Sequence, residues 1–321
     1  WMQTPDGYEL QLVPEPVRAV MTDFWATVFT PSFVTRLLHV FFASWTAGAA
    51  LMASVGAWYI LRKPQFADLG KACLAISLPA FIIFSVANGF IFGPESARSV
   101  AENQPTKLAA MEGIYQTEEN APAYLFGWVD EGSGETIGLA VPGLLTFLSG
   151  QDVVTGINDF EVPPTVVNLT FLAYHLMVGL GMAIIPFALL AAGLWFWKRK
   201  LLDQRWALWI VVSSVFVALF VITMGWWVAE LGRQPWIVYE LMLTADATSP
   251  VVEAWEIVLS LGGFVLINIL LLALFLYLLN RKIQRGPASL EEVESTPVDS
   301  LPDSLRGIFS ARGAGEERMT R

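Results

Sequence analysis

The sequence predicts an all-α fold, a polytopic membrane helix bundle with five transmembrane helices and a long external loop. Three observations predict it. Of the 321 residues, 55% are hydrophobic and only 15% charged, with 13 Trp and 21 Phe, too little charge to cover a soluble domain of this size. Five stretches, near 37–61, 72–92, 167–197, 206–228 and 257–279, reach the about 20 apolar residues that a helix needs to cross a hydrocarbon core. Basic residues then recur on alternate connections: Arg62, Lys63 and Lys71 after the first stretch, Lys198, Arg199, Lys200 and Arg205 after the third, and Arg281, Lys282 and Arg285 after the fifth. All three groups fall on one side if all five stretches cross, which the positive-inside rule makes the cytoplasmic side.

Each remaining segment follows from this frame. Residues 1–33 form an external segment, 34–93 the first two spans, 94–165 an external loop, and 166–285 the last three spans. The loop holds eleven Asp or Glu against two basic residues, Arg98 and Lys107, so the net charge of -10 is kept in hydrated connections. An apolar run at 137–148 is too short to span and is interrupted by Pro142-Gly143; a loop element packed near the membrane surface fits it. Residues 286–321 are rich in Ser, Pro, Gly and mixed charge and read as a disordered cytoplasmic tail. A single cysteine, Cys73, excludes a disulfide framework and covalent haem attachment through Cys-x-x-Cys-His.

Polar groups inside spans are costly, so each is a functional candidate. His39 stands two residues into the first span, followed by the small residues Ala43, Ala47, Gly48 and Ala49. An imidazole there is either a ligand for haem iron, with room beside it for a flat macrocycle, or an interfacial group bonded to a carbonyl. Met177, in Tyr174-His175-Leu176-Met177, is either ordinary packing or an axial thioether ligand. His175 lies two residues away on a different helix face; it is either a supporting donor or the ligand itself. The fourth span ends in Gly225-Trp226-Trp227-Val228-Ala229-Glu230-Leu231-Gly232-Arg233. Glu230 and Arg233 are one turn apart and can pair, or Arg233 can present its planar fork to propionates. In the loop, 106–115 looks helical, with Lys107 and Glu112 near one end; such a pair can bind a quinol head group and take its proton.

These residues resemble a known family. Gly232-Arg233-Gln234-Pro235-Trp236, preceded by Gly225-Trp226 and Glu230, is similar to the signature of subunit I of cytochrome bd quinol oxidases. Thr106-Lys107-Leu108-Ala109-Ala110-Met111-Glu112 resembles the start of that family's quinol-binding loop, and Trp1-Met2-Gln3-Thr4-Pro5 a segment after its fourth helix. The resemblance covers residues 1–285. It implies that the chain is the last five spans of a nine-span subunit, lacking the four that carry the remaining ligands for the oxygen site.

The resemblance further implies haem b held by His39 and Met177, quinol bound at Lys107 and Glu112, and Glu230 serving a high-spin haem beside Arg233 and Trp226. His175 stands where some members carry an Arg that favours the reduced low-spin haem, a departure that leaves that role unassigned. The implied activity is a quinol:oxygen oxidoreductase of the bacterial cytoplasmic (inner) membrane. Quinol is oxidised at the outer face, and electrons pass through haem b to a high-spin haem site, haem d or a second haem b, that reduces oxygen to water. The implied partners are subunit II, small accessory subunits, membrane quinol and the lipid bilayer; nucleic acid is not among them. The alternatives are a membrane cytochrome b serving another acceptor and a transporter using buried His and Glu. A transporter shows no haem absorbance.

Overall fold

The computed structural model describes residues 1–11, 18–197, 200–249 and 251–287. Ten α-helices are formed among them: α1 (Phe24–Val28), α2 (Phe33–Arg62), α3 (Ala67–Ala87), α4 (Gly93–Asn103), α5 (Pro105–Glu112), α6 (Leu144–Ser149), α7 (Val167–Phe196), α8 (Lys200–Asp203), α9 (Arg205–Leu231) and α10 (Ala254–Arg285). Five helical segments are long and apolar enough to cross a membrane, as the hydropathy predicts. The second runs further than 72–92: a π turn at Asn88–Phe92 carries α3 into α4, and helix persists to Asn103. Pro79 and Pro186 sit inside α3 and α7, tolerated because neighbouring groups in a membrane helix bundle accommodate the lost bond.

The chain divides into two compact units, 1–251 and 252 onward. In the first, the strong helix contacts run α2–α3–α7–α9 and back to α2. This closed ring sets α2 and α7 on one diagonal and α3 and α9 on the other. Small residues permit it. A Cβ on Gly56 would lie 2.9 Å from the Gly70 carbonyl, and one on Gly70 would lie 2.5 Å from the Gly56 carbonyl, so the α2 and α3 backbones touch where neither bears a side chain. Ser54 joins α2 to α9, its Oγ donating to the Ala50 carbonyl at 2.7 Å and lying 3.1 Å from the Val211 carbonyl.

In the second unit, α10 opens on a capping box in which Glu253 and Glu256 each bond the other's backbone N–H. It closes with Lys282 and Arg285 in its last turn, where cations complement the helix dipole. The tail expected over 286–321 lies, from 288 on, outside the described residues.

Strand is added to the expected helices, all of it in connections: four two-stranded antiparallel sheets pair β1 (Tyr8–Gln11) with β2 (Arg18–Met21), β3 (Glu118–Glu119) with β6 (Val153–Val154), β4 (Ala123–Asp130) with β5 (Glu135–Val141), and β7 (Trp236–Val238) with β8 (Met242–Leu243). The apolar run 137–148 becomes β5 followed by α6, with Gly143 at φ 71° in the break.

The glycine contact between α2 and α3 gives a direct test. Gly56→Leu is expected to destabilise the bundle by about 1–3 kcal/mol through overpacking, lowering the thermal midpoint of the solubilised protein. Gly193→Ala, on α7 with open space at its Cβ position, is expected to leave that midpoint unchanged or slightly raised.

Candidate functional site

The predicted polar residues gather at one end of the four-helix ring, where α2 and α7 begin and α3 and α9 end. The 94–165 connection folds back onto that end. Its helix α5 starts with Pro105 at the first position and stops at Gly113, whose φ of 65° suits a glycine cap. A Cβ on Gly113 would meet Thr136 Oγ1 of β5 at 2.5 Å, so the cap is also where the β4–β5 hairpin rests. Every residue from Thr106 to Glu112 is buried. Lys107 and Glu112 are therefore not exposed loop charges: they are 2% and 3% accessible.

Lys107 is held by groups from two other segments. Its Nζ lies 3.3 Å from the Ala229 carbonyl, at the end of α9, and 3.5 Å from Gln3 Oε1. Gln3 donates its own Nε2 to the same Ala229 carbonyl at 2.9 Å, and its Oε1 accepts from Gln104 Nε2 at 3.1 Å. Arg36, in the first turn of α2, donates Nη2 to Gln104 Oε1. Gly232 is required beside this knot, because a Cβ there would press on Lys107 Cγ at 3.0 Å and on the Val228 carbonyl at 2.7 Å. Tyr239, beyond it, shares a 3.1 Å bond between its hydroxyl and Thr106 Oγ1, and donates its N–H to the Met2 carbonyl at 3.0 Å.

Charge at this site is unbalanced. Arg36, Lys107 and Arg233 face a single nearby carboxylate, Glu230, which accepts from Arg233 Nη2 at 2.7 Å just past the end of α9. Burial and the two guanidiniums hold the Lys107 ammonium well below its ordinary pKa. Arg36 Nε and Arg233 Nε are buried with no hydrogen-bond partner, so the pocket has donors and positive charge to offer an anionic ligand. Trp226, in contrast, is two-thirds exposed on α9.

Glu112 lies at the other end of α5. Burial pushes its carboxyl up to about 7, although the Tyr174 hydroxyl and the Tyr124 N–H both face it and favour the ionised form. One of its oxygens, Oε2, is buried and unpaired.

His39 and Met177 come from the diagonal helices. His39 is six residues into α2, ~9 Å along the axis, with its Nδ1 buried and unpaired and the Asn88 side chain beside it. Met177 packs against the buried cluster that includes Leu108 and Met111 of α5 and Met224 of α9. Its Sδ comes within 3.0 Å of where a Cβ on Gly225 would stand, so the glycine clears space at the sulfur. Gly225 is six residues from the end of α9, which sets the thioether at about the depth of His39. An imidazole and a thioether at matching depth on opposed helices are a donor pair suited to haem iron, and the unpaired guanidinium nitrogens above them suit propionates.

His175 is placed elsewhere. Its Nδ1 is 2.8 Å from the Phe171 carbonyl, its Nε2 2.7 Å from the Tyr124 carbonyl, and its ring stacks on Phe171 at 3.9 Å. Both nitrogens thus point at backbone acceptors, and the side chain ties β4 to α7. Arg36, Gln3, Gln104, Tyr174 and Tyr239 complete the site without having been singled out in the sequence. Arg36 left a trace there as a cation three residues before His39, and Gln3 as a member of the Trp1–Pro5 segment. Loss of the tether has a measurable consequence: His175→Leu leaves the Tyr124 carbonyl without its partner, and amide hydrogen exchange over 123–141 is expected to speed up about tenfold, the equivalent of ~1.4 kcal/mol, while protection of α7 persists.

Comparison with known proteins identifies the family. The family model for cytochrome bd terminal oxidase subunit I matches residues 1–287. The cytochrome bd ubiquinol oxidase subunit 1 of Bacillus subtilis (strain 168) is 30% identical over 95% of this chain and 66% of its own length. The cytochrome bd-II ubiquinol oxidase subunit 1 of Escherichia coli (strain K12) is 24% identical over 92% of this chain and 70% of its own. Among solved structures, the bd oxidase from Geobacillus thermodenitrificans superposes with a TM-score of 0.79 at 30% identity, covering 89% of this chain and 65% of that one. The chain therefore spans about two thirds of the length of these relatives. With the signature segment folded over Lys107 and the family model covering all five spans, the chain belongs to the cytochrome bd terminal oxidase subunit I family.

Proposed function

We propose that this chain is the quinol-oxidising and haem-b-holding portion of a terminal quinol oxidase. The observation that carries the reading is the buried α5, which withdraws Lys107 and Glu112 from water at the end of the bundle that also holds His39 and Met177. The relatives named as ubiquinol oxidase subunits support the substrate class.

Each residue has a role in that reading. Lys107 donates to a quinol oxygen. Glu112 in its ionised form accepts a hydroxyl proton, a base being most useful when its pKa lies near the working pH. His39 and Met177 would hold a low-spin haem b, and Arg36 and Arg233 would neutralise its propionates. Glu230, half-exposed beside its guanidinium partner, would serve a high-spin haem, with Arg233 and Trp226 alongside. When bound, the haems supply the one-electron carriers that link quinol to oxygen. The overall reaction balances as two quinols giving two quinones, four protons and four electrons, which with oxygen and four protons drawn from the opposite side yield two waters.

His175 replaces a cofactor contact with a structural one, fixing the helix that carries Met177. The basic connections support a quinol site on the outer side of a bacterial membrane. Subunit II is the expected partner, and the complete oxygen site, with haem d or a second high-spin haem b, is expected in the assembled complex.

Two experiments on the assembled oxidase test the reading. His39→Ala and Met177→Leu are each expected to remove one haem b signal from the reduced-minus-oxidised spectrum while the chain still inserts; unchanged spectra in both would reject the ligand assignment. For Glu112 the sign is fixed by its raised pKa: the carboxyl is protonated below about 7 and becomes a base above it. Quinol-driven oxygen uptake is therefore expected to rise with pH through that value. Glu112→Gln is expected to lower the rate by about 10²-fold and flatten the rise, with the haem spectrum retained. A full pH limb in the Gln variant would remove Glu112 from the proton path.

A further inference from the structure

The β4–β5 hairpin has two unlike faces. Its inner face carries Val129, which is buried, and Thr136, whose Oγ1 donates to the Gly113 carbonyl at 2.6 Å. Its outer face carries two cross-strand pairs, Phe126 with Leu139 and Trp128 with Ile137. These four side chains are 64%, 50%, 54% and 63% exposed, a contiguous apolar patch that a water-facing hairpin does not carry without a partner.

The depth of that patch can be read from α7. The helix has 30 residues, about 45 Å, of which the hydrocarbon core takes about 30 Å. Roughly the first five residues thus lie in the interfacial zone. His175 reaches back towards the helix N-terminus to bond the Tyr124 carbonyl, which sets that end of β4 near the hydrocarbon boundary. Five residues on, the Val129 N–H donates to Asn168 Oδ1 at 3.1 Å, and Glu131 Oε1 accepts from the Asn168 N–H at 2.7 Å. The strand therefore crosses the interfacial zone from bottom to top. Its aromatic and aliphatic pairs lie within that zone, while Asp130, Glu131 and Glu135 gather at the turn beyond it.

We infer that the hairpin is an interfacial anchor, its outer face seated in the head-group and upper acyl region of the bilayer and its acidic turn left in water. Trp and Phe suit that layer because an apolar body and a polar surrounding are both available. The acids at the turn exclude attraction to anionic lipid as the cause, so the seating is apolar. It follows from the register of β4 on α7 and is independent of the assignment of quinol or haem.

The test places nitroxide labels on the full chain, in the assembled complex, in phosphatidylcholine nanodiscs. Cys73→Ala supplies the background. Trp128→Cys and Ile137→Cys place labels on the outer face and Gly132→Cys one on the turn, with Phe126→Cys and Leu139→Cys as substitutes should either outer-face variant fail to assemble. Labels on the outer face are expected to collide with dissolved oxygen severalfold more than with a water-soluble nickel chelate, and the label at 132 to show the reverse, with neither ratio changed by salt. Outer-face labels as open to the chelate as the turn would place the hairpin in water. Labels shielded from both reagents would mean that protein covers the face. Either result overturns the inference.

Discussion

The structure at the loop end of the bundle depends on one constraint: three cations are brought together out of water with only one carboxylate among them. Arg36, Lys107 and Arg233 come from α2, α5 and the segment after α9. None of these segments can shift without exposing or stranding a charge. The Gln3 carboxamide makes the arrangement possible, because its oxygen faces Lys107 and Gln104 while its nitrogen holds the Ala229 carbonyl. A buried polar network of this kind is stable only when its members are satisfied. The nitrogens left over on the two arginines mark where an anionic ligand belongs.

That constraint explains why a loop behaves as a core. Helix α5 is short and polar at both ends, yet it is buried from Thr106 to Glu112 because the Ala229 carbonyl and the Gln3 amide oxygen hold the lysine inward and the hairpin covers the carboxyl. The consequence is chemical. The same burial that lowers the lysine's affinity for its proton raises the carboxyl to about 7, so a single eight-residue helix presents a weakened cation and a poised acid within one buried element. His175 then links this loop to the helix bearing Met177 through the Tyr124 carbonyl, and the loop and the thioether share one rigid support.

The sequence by itself determined the spans, since length and apolarity suffice to place a helix across a hydrocarbon layer, although the second helical segment runs on beyond its expected end to Asn103. It also determined which side chains were anomalous, because His39, Glu230 and Lys107 stand out wherever a charge or imidazole interrupts an apolar or oppositely charged background. Tertiary structure alone decided what those anomalies meet. Arg36 falls just outside the expected first span and was not among the candidate residues; Gln3 and Gln104 are ordinary amides until the chain folds them together beside one lysine. The two nitrogens of His175 were undecidable from spacing, since a helix fixes the face of a side chain and not its partner. Burial of α5 was invisible for the same reason: periodicity reports local geometry, whereas burial and charge pairing are sums over segments a hundred or more residues apart, such as Gln3 with Ala229.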